Sequence, residues 1–77
     1  MVSEKNEAIK LLDVVALLEE VPEEGLKRGQ VGAVVEEWAP GVYEVEFSDA
    51  LNGRTIALAC FKAEKLLKLH HDRVATA

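Results

Sequence analysis

A single cysteine among 77 residues excludes an internal disulfide, so packing and hydrogen bonding alone must hold this chain together. Prolines number two, the aromatics are one Trp, one Tyr and two Phe, and no apolar run approaches the roughly 20 residues that a membrane-spanning helix needs. Positive charge is scarce too: nine Lys and Arg stand against fourteen Asp and Glu, a formal net charge of −5. Nucleic-acid affinity comes largely from basic side chains that neutralise phosphates, and this balance argues against a general DNA or RNA binder. Lys62, Lys65 and Lys68 recur every third residue, but Glu64 interleaves them and a solvated edge is the expected reading. No charged start followed by an apolar stretch marks a secretory leader. Cys60 lies in the apolar run Ile56 to Phe61 and reads as a small hydrophobe, not as a reactive or metal-bound thiol. Together these point to a reducing, cytoplasmic setting.

What is present is a set of short apolar runs cut by turn residues. At this length the chain makes one domain and buries only about 60% of its extended surface. Ser3 to Leu12 offers a serine N-cap and apolar positions at Ala8, Ile9, Leu11 and Leu12, the pattern of a short helix that needs docking to persist. Asp13 to Glu19, with adjacent Val14 and Val15, reads as a first strand. Pro22, Gly25 and Gly29 then impose a loop over residues 20–29. Gln30 to Glu37 is a second strand, in which Gly32 marks a bulge or a close backbone approach. Ala39-Pro40-Gly41-Val42 spells a type II turn, and beyond it Tyr43, Val45 and Phe47 alternate with Glu44 and Glu46. Asn52-Gly53 turns the chain again into a fourth strand, Arg54 to Cys60. A helical turn over Phe61 to Lys65 and a fifth strand at Leu66 to Leu69 complete the series.

Four or five short antiparallel strands with two tight hairpins predict a small SH3-like barrel, mainly β, with a short helical or extended N-terminal segment. The rival reading makes Leu11 to Glu20 one long helix packed on a three-stranded sheet. The domain is expected to span residues 9–69, with a flexible extension over 1–8 and a flexible tail over 70–77. In the first and fourth strands both faces are apolar, which raises a homodimer through those strands, against a monomer whose N-terminal helix covers one side.

Catalytic chemistry finds no foothold. His70-His71-Asp72 is the one group of metal-ligand types, but neighbours in an extended segment point apart and no further ligand stands at a supporting spacing. No nucleophile constellation and no phosphate-cradling glycine pattern occurs. The features that suggest function are the four carboxylates around Pro22, namely Glu19, Glu20, Glu23 and Glu24, and Trp38 beside the Pro40-Gly41 turn. Acidic loops steer basic partners, and tryptophan is enriched in interface hot spots; a solvated loop and a barrel-end cap are the plainer alternatives.

The run from Leu11 to Glu36, with Pro40-Gly41, Tyr43 to Phe47 and Asn52-Gly53-Arg54-Thr55, resembles a family of small bacterial proteins known as domain of unknown function 4926. The resemblance covers residues 9–69 and implies a compact, SH3-like β domain that usually stands alone; it brings no activity, cofactor or catalytic residue. The expectation is a non-enzymatic protein-interaction module without cofactor or metal. Its partner would be another protein, as in the neutralising member of a two-protein system or a subunit of an assembly. A nucleic-acid-associated small barrel is the alternative.

Overall fold

A computed structural model describes residues 8–70. Five strands, β1 (Val14–Leu17), β2 (Val31–Ala39), β3 (Val42–Ser48), β4 (Thr55–Lys62) and β5 (Leu66–Lys68), form one antiparallel sheet in the order β4-β3-β2-β1-β5. One 3-10 turn, Pro22–Glu24, lies in the β1–β2 loop, and another, Ala63–Lys65, joins β4 to β5. The fold is the expected small SH3-like β domain, with one qualification. β4 and β5 are not paired to each other, so the sheet remains unclosed.

β2 serves both halves of this sheet. Its first residues, Val31 to Ala33, pair with β1, while Ala33 to Ala39 pair with β3. Gly32 sits at this junction because nothing larger fits. A Cβ there would lie 2.7 Å from Val45 Cγ1, 2.8 Å from Phe47 Cδ1 and 2.8 Å from the Glu46 carbonyl oxygen. The sheet therefore folds down on Gly32, and Val15, Leu17, Val34, Val45 and Phe47 fill the space beneath, each 2% exposed or less. Full burial of such side chains contributes about 1.5–3 kcal/mol apiece. Ile9, Leu26, Tyr43 and Leu66 complete the core, and Phe61 meets Phe47 edge-on with ring centroids 6.1 Å apart.

Local signals account for the hairpins. Gly41 adopts φ 80°, which a type II turn requires at its third position and which only glycine adopts without strain. Val42 to Ser48 alternates as its sequence dictates, with Tyr43, Val45 and Phe47 buried and the glutamates between them facing out. Gly53, at φ 74°, turns the β3–β4 hairpin, assisted by the Asp49 carboxylate, which accepts the Leu51 amide at 2.7 Å.

Of the helical and extended forms expected for the N-terminal segment, its described part takes the non-helical one. Residues 8–12, the described part of that stretch, are not helical; the earlier residues of the expected helix lie outside the described region. Leu12 takes φ 72°, and its amide donates to the Val34 carbonyl at 2.7 Å, while the Val34 amide donates to Asp13 at 2.9 Å. Two residues thus oppose one, a bulge that feeds the chain into β1. Only Ile9 is buried; Leu12 is 74% exposed. The rival long helix fails at the same place, because Val14–Leu17 is paired on both sides, to β2 and to β5. Strand ends also move by one or two residues, with β2 and β4 running on to Ala39 and Lys62.

Asp13 fastens this entry. It accepts the Lys10 amide at 2.7 Å and lies 3.3 Å from the Lys68 ammonium, which in turn donates to the Ala8 carbonyl at 3.1 Å. Partial burial pushes its carboxyl up, but the Lys10 amide and the Lys68 charge outweigh this and hold it below its ordinary value.

Gly32→Ala cannot be absorbed by a rotamer change, since one of the atoms struck is a backbone oxygen, and it should cost about 3 kcal/mol in urea unfolding. Asp13, with its folded-state pKa below the unfolded value of about 3.9, stabilises the fold fully above that value and progressively less as pH falls through the folded pKa. Asp13→Asn should therefore lower stability at neutral pH and flatten the acid limb of the stability profile.

Candidate partner-binding site

The long β1–β2 loop is ordered by hydrogen bonds at its base. Val21 and Leu26 exchange backbone bonds at 2.9 and 3.1 Å, Gly25 closes the intervening 3-10 turn with φ 71°, and Leu26 is buried in the core. Farther down, the Gly29 amide donates to Leu17 at 2.7 Å and the Leu17 amide to Gln30 at 2.9 Å. Glu19, Glu20, Glu23 and Glu24 are all exposed on this scaffold. Lys65 pairs with Glu19, and that hydrogen bond and charge raise the Lys65 pKa above its ordinary value. No other cation forms an ion pair with the loop carboxylates among the described residues.

At the foot of the loop lies a pocket of about 120 Å³ lined by Leu17, Glu19, Val21, Phe61 and Lys65. Its floor is apolar, and the Glu19–Lys65 pair stands at its side. The turn Ala63–Lys65 ties this end together, since the Leu18 amide donates to the Lys65 carbonyl and the Ala63 amide to that of Gly41, both at 2.9 Å.

Trp38 lies at the same end but on the other side of the sheet. It is 66% exposed, and its indole Nε1 donates to Glu44 Oε1 at 3.0 Å on the outer face, opposite to the inward-facing Tyr43 and Val45. The structure thus brings one of the four loop carboxylates, Glu19, to the pocket, leaves Glu20, Glu23 and Glu24 exposed elsewhere on the loop, and sets Trp38 apart on the outer face. Leu17, Val21 and Phe61 are not expected at a site from the sequence, and Lys65 is expected only on a solvated edge. The Glu19–Lys65 contact spans 46 positions, and no local pattern announces it.

The expectation for Cys60 is overturned, whereas the lysines form no basic patch, in keeping with their interleaving with Glu64. Cys60 is exposed on the outer side of β4, not buried. Lys65 and Lys68 are each paired with a carboxylate, Glu19 and Asp13, and do not form a shared patch with Lys62. Of the candidate metal group only His70 falls within the described residues, where no cluster of three ligand-type side chains occurs. No helix among those residues is long and apolar enough to cross a membrane.

These features define a small SH3-like β domain with one ordered acidic loop. The model of the family described as "Domain of unknown function (DUF4926)" matches residues 11–68, and the chain belongs to that family. No curated protein and no solved structure matches it.

The pocket's parts differ in structural weight. Phe61 packs on Phe47, so Phe61→Ala should cost about 2 kcal/mol in chemical denaturation. Lys65→Ala removes only an exposed ion pair and should leave the unfolding midpoint unchanged within experimental error.

Proposed function

We propose that this chain is a cytoplasmic, non-enzymatic protein-interaction module whose β1–β2 loop docks a basic protein partner, either as the neutralising member of a two-protein system or as a subunit of an assembly. The observation that carries this reading is the pocket at the foot of a hydrogen-bonded loop, lined by Glu19 and formed beneath the loop that also carries Glu20, Glu23 and Glu24, which make no ion pair with a described cation. A pocket of that size takes one aliphatic side chain of a partner, and the surrounding carboxylates favour Lys or Arg beside it. Because the loop is already ordered, little conformational entropy remains to be lost on docking. Trp38 supplies a second, separate contact on the outer face.

Co-purification from the native host with a tagged chain tests the proposal. Glu23→Lys with Glu24→Lys should reduce recovery of the partner at least about tenfold at low salt, with a smaller loss for Trp38→Ala, and rising salt should weaken the wild-type complex. Recovery that is indifferent to the loop substitutions would refute the reading. So would salt-dependent binding of the purified chain to a labelled oligonucleotide at comparable affinity, which would favour the nucleic-acid alternative.

A further inference from the structure

The sheet ends in two unlike edges. β5 has three residues, ends at Lys68 and is flanked by the N-terminal segment through the Lys68–Ala8 contact, the usual protections of an edge. β4 has eight residues, Thr-Ile-Ala-Leu-Ala-Cys-Phe-Lys, with no charge before its last position and no proline. Ile56 and Leu58 are about half exposed, at 51% and 52%, and Cys60 continues their outward row. Backbone polarity follows from the ladder. The Ala63 amide donates to Gly41, so by the antiparallel alternation Phe61, Ala59 and Ala57 turn their amides and carbonyls toward β3. Those of Leu58, Cys60 and Lys62 point away from the sheet, toward whatever lies beside β4.

We propose that a second copy of this chain lies there, its β4 antiparallel to the first, with Ala59 opposite Ala59 across a two-fold axis. Three features select that occupant and that register. Leu58 then faces Cys60 of the second copy, so the outward backbone groups of both residues are satisfied by about four hydrogen bonds around the axis. The outer faces of the two sheets become continuous, and the apolar row of each copy abuts that of the other. Charge is complementary as well. Lys62 falls opposite Ile56 of the second copy, beside the end of β4 toward which Glu46 leans to accept the Thr55 hydroxyl. Sliding the strands by one two-residue step instead sets Arg54 against Lys62, a like-charge pair, or shortens the overlap. β1, the other strand that is apolar on both faces, cannot serve, because β2 and β5 already occupy its two sides.

A single strand pair buries less than the roughly 1,200 Å² of a stable interface, so the dimer is weak and reversible. Sedimentation equilibrium of the full chain, from low micromolar to millimolar concentration, should show monomer passing to dimer. Leu58→Lys alters an exposed position, should keep the far-ultraviolet circular dichroism of the wild type, and should raise the dissociation constant at least about tenfold. Glu46→Lys and Lys62→Glu should each weaken the dimer, and the double variant should recover most of the loss. A chain that is monomeric at millimolar concentration overturns the proposal. A dimer indifferent to Leu58→Lys places the contact elsewhere and overturns it equally, and failure of the charge exchange to restore association overturns the register.

Discussion

The fold depends on a side chain that is not there. β2 has to pair with β1 at one end and with β3 for the rest of its length, and the change of partner falls at Gly32 and Ala33. At that point Val45, Phe47 and the Glu46 carbonyl oxygen close over the strand at distances no Cβ tolerates. The bend that results turns one sheet into an enclosure, because it lets Val15 and Leu17 of β1 face Val45 and Phe47 of β3 across a shared interior. Without it the same sequence would offer a flat sheet, whose apolar face no other layer among the described residues would cover.

Much of this was legible in the sequence, and the parts that were not have a common cause. The β2–β3 hairpin could be read because Pro40-Gly41 and the alternation from Tyr43 to Phe47 are local properties, enforced by backbone preference and side-chain period. Gly32 announced a close approach because glycine inside a strand has few other reasons to be there. The N-terminal segment stayed open between helix and extended chain because Ala8, Ile9, Leu11 and Leu12 have helical spacing, while the interaction that sets their path, the Leu12 amide on Val34, is made with a strand 22 positions on. The pocket was invisible for the same reason. Glu19 and Lys65 look like ordinary surface charges until the turn at Ala63–Lys65 carries one to the other.

In β4 the difficulty lay elsewhere. Its period of two was evident, but with both rows apolar the sequence could not say which faced inward. The structure decides through size and position. Phe61 reaches the Phe47 ring, and the small Ala57 and Ala59 lie beside Phe47 and Val45 on the inner face, so the larger Ile56 and Leu58 are left outside. Apart from Phe61, placing small residues against the filled interior and large ones toward solvent reverses the usual order. It makes the outer row of β4 hard to explain by the packing of one chain alone.

The outer face of β2 and β3 poses the matching electrostatic problem, and Trp38 bears on it. Glu36 and Glu44 are direct cross-strand partners on that face, and like charges in such positions repel. Glu44 is steadied by the Trp38 indole and Glu46 by the Thr55 hydroxyl, so a neutral donor meets each carboxylate of β3. Trp38 therefore has a structural reason to lie on the outer face beside Glu44 and not to cap the end of the barrel. With 66% of its surface exposed beside Glu44, Trp38 also fits the proposed partner contact, in which a cationic side chain would stack on the indole. The structural role of Trp38 is thus compatible with the proposed binding role, since the hydrogen bond that orients the indole leaves most of the side chain exposed.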